Sequence, residues 1–419
     1  MTLYHYLILL VSLSAIFAYI NQRWIKLPFV IGLFLLSTIL SAAVIISGNI
    51  FHLPVNDIES ILETADIDNV ILNILLGFLL FAGALHTDWG EIKGQLKAIS
   101  IFAVGGTILS TLIVAGLLFM VSSLLHLNIN FLFCMLFGAL ISPTDPIAVL
   151  GILTKANVPK KTEITIVGES LFNDGIGVVL FIALLDMVRK GSIDFDLGHF
   201  SWLFVQESVG GVVFGLLLGY VLHILLKSID HYETEVLLTL AFVMAGYALF
   251  NFIHISGALA MVVMGLMIGN FRKTVAMSDL TAEYLNKFWE LLDVILNAIL
   301  FILIAFVILV IDFNLRYILL GIATIFIVLL TRLFLIYLPI ILVPGIVKVN
   351  KKEALIIWWG GLRGGLSLAL VLSLPQSETK ELLLVVTYTT VVFSILVQGL
   401  SISKAVKVYK KIISKNVKA

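Results

Sequence analysis

SPTDPIAVL, residues 142–150, and WWGGLRGGLSL, residues 358–368, decide how this chain folds. Each sits inside an apolar run long enough for a helix, and each is unsuited to an unbroken one. Pro143 and Pro146 remove backbone donors and crowd the preceding turn. Gly360, Gly361, Gly364 and Gly365 surround Arg363 with residues that weaken a helix interior. The composition around them is that of a membrane: hydrophobic residues make up 61% of the 419 and charged residues 12%, against about a quarter charged in soluble domains. Runs of spanning length, about 20 residues, fall at 3–21, 28–48, 70–86, 98–125, 130–152, 163–188, 203–226, 235–252, 254–270, 294–311, 315–343, 354–373 and 382–403. The broken stretches are in the fifth and twelfth of these thirteen. An odd offset of seven makes the two copies run in opposite directions. The expected fold is therefore an all-α polytopic membrane protein of 13 transmembrane helices, with inverted repeats of six (1–6 and 8–13) and broken helices 5 and 12 crossing. Paired interrupted spans point to a midplane transport site.

The chain reads as one membrane domain, 1–419, with a first repeat at 1–190, a linker helix at 203–226, a second repeat at 235–403 and a short basic tail at 404–419. Equal counts of 26 basic and 26 acidic residues give no field for a nucleic-acid partner. The lone Cys134 excludes an internal disulfide. The first span lacks a basic n-region and a cleavage site, so it is read as retained. With an outside N-terminus, twenty of the basic residues fall on the inside. Four (Arg189, Lys190, Arg316, Lys380) fall outside and two (Arg332, Arg363) within spans. The positive-inside rule thus agrees with a cytoplasmic C-terminus. The loop at 49–69 holds five acids and no Lys or Arg; it is an ordinary solvated loop or a weak field for cations. The polar stretch 274–290 is read as a loop or an interfacial helix, and the histidines near span ends as capping or headgroup-level residues.

Within the sixth span, GESLFND (168–174) adds Glu169, Ser170, Asn173 and Asp174. Asp145, Glu169, Asp174, Arg332 and Arg363 are the charges read as lying deep in spans, where an ionised group must be paired or hydrated. Three acids against two bases leave minus one, a balance that either a proton or one monovalent cation can neutralise. Ser170 and Asp174 are four apart and share a helix face, with Glu169 and Asn173 one residue back. The unwound turn at Thr144 frees backbone carbonyls, and Asp145 and Arg363 are placed to balance the helix ends that meet there. Hard oxygens from Ser170, Asp174 and the Thr144 carbonyl suit a small cation. Glu169 and the arginines read equally as buried structural ion pairs.

With SPTDP, GESLFND, Arg332 in TRLFLIYLP and GGLRGGLSLAL (360–370), the chain resembles the monovalent cation:proton antiporters, in the branch holding the prokaryotic and animal sodium/proton exchangers. The resemblance implies exchange of Na+ or Li+ for H+ by alternating access, or K+/H+ exchange on the same fold, in a homodimer of the cell membrane with no cofactor. It implies Asp174 as the proton-and-cation carboxylate and Asn173 as the asparagine typical of electroneutral, one-for-one members. Ser170, Asp145, Asp174 and the Thr144 carbonyl would then hold Na+, with Glu169 acting through water or a pair with Arg332 and Arg363. Two features depart from the family pattern. Ala82 stands where many relatives have an acid, and no long cytoplasmic regulatory domain follows the last span, so no tail partner is expected. An intramembrane aspartyl protease with an Asp145/Asp174 dyad lacks the GxGD context and leaves Glu169 and both arginines without a role. A channel needs successive weak sites rather than one deep one.

Overall fold

The computed structural model describes residues 3–51, 75–145, 158–190, 196–253, 255–271, 278–311, 314–343 and 349–407. A chain in hydrocarbon satisfies its backbone groups internally by forming helices, and every element described here is helical. They are α1 (Leu3–Ile20), α2 (Phe29–Phe51), α3 (Leu76–Leu85), α4 (Trp89–Lys93), α5 (Leu96–Leu124), α6 (Phe131–Ile141), α7 (Lys160–Arg189) and α8 (Leu197–Lys227). The second half holds α9 (Tyr232–Phe252), α10 (Gly257–Phe271), α11 (Asp279–Phe306), α12 (Leu315–Leu342), α13 (Lys351–Trp359), α14 (Gly365–Leu372) and α15 (Glu378–Lys407). Among the described residues nine helical runs are long and apolar enough to cross a membrane, while α3, α6 and α10 are apolar but shorter.

Polar side chains start the helices where the chain leaves water. Asn130, Asp196, Ser278, Asn314 and Ser377 each accept a backbone N–H in the first turn of α6, α8, α11, α12 and α15. The cap at Ser278 changes one expectation. Residues 279–290 are not a loop or a separate interfacial helix but the first turns of α11, because no proline or glycine interrupts the run to Phe306. Residues 274–277, most of the acidic 49–69 loop, Pro146 and the last tail lysines lie outside the described residues.

Close approach is achieved with small residues. Gly211, Gly215 and Gly219 repeat every fourth position on α8 and meet Ser256, Ala260 and Met264 or Met267 along α10. α10 also packs on α3, and α11 packs on α2, α3 and α14. α6, α7, α14 and α15 supply much of the main buried apolar cluster. Two wide turns, at Ile101–Gly106 in α5 and Phe393–Gln398 in α15, break the ordinary helical spacing beside this core.

The fifth span unwinds at Ser142, and the twelfth is split into α13 and α14 by residues 360–364. The two unwound segments meet in an antiparallel bridge, with the Asp145 N–H donating to the Leu362 carbonyl at 2.8 Å.

Candidate functional site

α7 presents its two polar faces to two different cavities. Ser170 and Asp174 line a cavity of about 120 Å³ together with Pro143, Thr144 and Asp145 of the unwound turn, α3, Asn297 and Leu300 of α11, and the start of α14. That volume exceeds the roughly 30 Å³ share of one water, so a small cation fits with part of its hydration. Glu169 and Asn173 line a separate chamber of about 20 Å³ with Ser110, Ser142, Arg332 and Arg363.

Thr144 lies between the two. Its N–H donates to Asn173 Oδ1 at 3.3 Å, and Asn173 Nδ2 donates to Thr144 Oγ1 at 3.0 Å. The Thr144 carbonyl, released by the unwinding, accepts the Ser170 hydroxyl. Asn173 therefore clamps the turn that turns the Thr144 carbonyl toward Ser170. Asp145 lies against Gly364 at the start of α14, so close that a Cβ at Gly364 would strike its side chain. That puts a carboxylate at the positive end of a helix.

The charges expected to pair do so selectively. Arg332 Nη1 and Nη2 donate to both oxygens of Glu169 at 2.8 and 3.2 Å, and Nη2 also reaches the Ile357 carbonyl at 3.2 Å. Arg363 does not join this pair. Its Nη1 donates to the carbonyls of Ser142 and Pro143, where α6 ends, and its N–H is received by Ser394 Oγ at 2.8 Å in the wide turn of α15. A guanidinium thus lies at the carbonyl end of α6. Gly361 is required beneath Arg332, since a Cβ there would fall on the guanidinium.

A profile described as "Sodium/hydrogen exchanger, transmembrane" matches residues 11–408. The chain belongs to the sodium/hydrogen exchanger family. Its similar relatives include the Na(+)/H(+) antiporter NhaP of Pseudomonas aeruginosa, 42% identical over 404 residues covering 95% of each chain. The Na(+)/H(+) antiporter NhaH of Halobacillus aidingensis is 33% identical over 88% of this chain and 91% of its own. The solved structure of the sodium proton antiporter MjNhaP1 from Methanocaldococcus jannaschii at pH 8 has the same fold. It matches with a TM-score of 0.75 over 96% of this chain and 97% of that one, at 22% identity.

In this sodium/hydrogen exchanger the inventory of buried charge is larger than hydropathy implied. Glu207 and Glu235 are also buried, and Asp293 of α11 is half-buried beside the cavity. The three-to-two count of acids and bases thus leaves out Asp293 at the break itself as well as Glu207 and Glu235 away from it. Asn297 is a single polar residue in an apolar span, and its sequence signal is the i, i+4 spacing from Asp293. Of the span-end histidines, His86 ends α3 and His231 precedes α9, while His199 joins Asp186 of α7 at 3.0 Å.

Proposed function

We propose that the chain is a secondary antiporter, not an enzyme, that exchanges Na+ (or Li+) for H+ by alternating access, one for one. The observation that carries this is the convergence of Ser170, Asp174, Asp145 and the Thr144 carbonyl on one cavity at a crossing of unwound helices. Asp174 releases its proton and takes the cation in its place, so protonated and cation-loaded forms carry the same charge. Ser170, Asp145 and the Thr144 carbonyl supply further hard oxygens, the ligand type such cations prefer. Asn173 stays neutral and holds the Thr144 turn. Glu169 acts as a structural partner of Arg332, a role supported by the engagement of both its carboxylate oxygens away from the cation cavity. The printed activity of the relatives, Na(+)/H(+) antiport, supports the choice of ions.

The same reading takes the chain as two inverted repeats, 1–190 and 235–403, joined by the 203–226 helix and followed by the basic tail 404–419. It takes the protein as a homodimer in the cell membrane with the N-terminus outside and the C-terminus cytoplasmic, on the asymmetry of Lys and Arg. Labelled-sodium flux into liposomes with and without a pH gradient tests the exchange. Uptake against the sodium gradient driven by the pH gradient is expected. Uptake that follows only the sodium gradient, with no proton movement, refutes it.

A further inference from the structure

Asn297 is 2% exposed and lines the cavity that holds Asp145, Asp174, Ser170 and Thr144. Its amide nitrogen donates to Asp293 Oδ1 at 3.0 Å and to the Asp293 carbonyl at 2.9 Å, four residues earlier on α11. Its Oδ1 is buried and has no hydrogen-bond partner among the described residues. The reverse orientation of the amide would set that oxygen against two acceptors, so Asp293 leaves one orientation only. A buried acceptor without a donor is costly unless a ligand satisfies it. Every ligand proposed so far comes from α7 or the unwound turn after α6, whereas α11 approaches from elsewhere, with Leu300 against Gly365 at the start of α14.

We propose that Asn297 Oδ1 is a further ligand of the transported cation, directly or through one water, and that Asp293 is the positioning residue that aims it. This rests on the antiporter reading above. A neutral amide oxygen completes the shell without adding charge, so the exchange of one proton for one cation is untouched. The ligand also comes from a different helix from the rest, so it tightens binding only while α11 and the α7 site are apposed as here.

The test is sodium-dependent proton flux in proteoliposomes at fixed pH for the unmodified protein, Asn297→Ala, Asp293→Asn and the double variant. Asn297→Ala is expected to raise the apparent sodium KM about tenfold, the factor set by 1.4 kcal/mol of lost binding. Its maximal rate should change little, and its Na+/Li+ preference should shift, a readout that a purely structural role does not move. Asp293→Asn should shift KM in the same direction by less, and the double variant should match Asn297→Ala. A folded Asn297→Ala protein with unchanged KM and preference overturns the ligand, and additive losses in the double variant overturn the positioning role. If the alanine protein does not fold, Asn297→Ser takes its place. It keeps a shorter oxygen, so an intermediate KM is expected and an unchanged one overturns the ligand. Absence of sodium-driven proton flux in the unmodified protein would instead defeat the antiporter reading itself.

Discussion

Replacing Glu169 with glutamine asks whether its ion pair is a strut or part of the cation path. The Arg332 and Glu169 side chains are 9% and 4% exposed and share two bonds, at 2.8 and 3.2 Å. Glutamine keeps the shape and can still accept one N–H through its amide oxygen. It turns the second acceptor into a donor facing a guanidinium and strips the buried cation of its counter-charge. Breaking a buried pair by removing one partner costs about 3–5 kcal/mol. The bond to the Ile357 carbonyl survives, so the expectation is the lower end, about 3 kcal/mol. Neutralising the arginine as well, as Glu169→Gln with Arg332→Met, should recover most of that loss and leave a coupling energy of at least about 2 kcal/mol in a double-mutant cycle. Unfolding in a denaturing-detergent titration, followed by tryptophan fluorescence, gives the stabilities. Flux assays on the folded fraction give cation preference, which should be unchanged. A Glu169→Gln protein that unfolds like the unmodified one but changes its sodium-to-lithium preference refutes the strut and makes Glu169 a ligand.

On the proposed competition of proton and cation for Asp174, the apparent sodium affinity should fall about tenfold per pH unit below the pKa of the site and level off above it; a pH-independent affinity across that range contradicts the competition. Exchange should be electroneutral: although the potential is worth about 2.3 kcal/mol per charge per 100 mV, the sodium gradient at which net flux stops should not move when voltage is clamped with potassium and valinomycin. Movement of that null point would mean that more than one proton crosses per cation. Gly361→Ala drives a methyl group into the Arg332 guanidinium and should cost about 1–3 kcal/mol as overpacking, in the same detergent titration. Unchanged stability there would show that Arg332 has room to move.

Most of the helices were legible because lipid enforces continuous apolar runs, and the two breaks were legible because proline and glycine are the residues that interrupt them. The shared face of Ser170 and Asp174 followed from helical spacing alone. What spacing could not supply was partnership. Arg332 and Arg363 were equivalent in sequence as partners of Glu169, and only the fold sends one to the carboxylate and the other to the end of α6. Glu207 and Glu235 lie about a turn or less from the expected span ends, where hydropathy treats acids as interfacial, yet neighbouring helices bury both. Asp293 lies one residue before the expected tenth span, because the unbroken apolar stretch begins at 294 whereas the helix begins at the Ser278 cap. The wide turns at Ile101–Gly106 and Phe393–Gln398 had no sequence signal beyond ordinary apolar composition.

The bridge from the Asp145 N–H to the Leu362 carbonyl is made entirely by main chain. Any residue except proline at position 145 supplies the same donor, and any residue at 362 the same acceptor. This one link is therefore indifferent to most substitutions at 145 and 362, unlike the bonds that the Arg363, Ser367 and Asn173 side chains make around it. The side chains at 144 and 145 are more tightly constrained, the first by its bond to Asn173 and the second by its contact with Gly364. The junction thus keeps one bond that outlasts a change in the oxygens offered to the cavity, and among single replacements at 145 proline alone removes its donor.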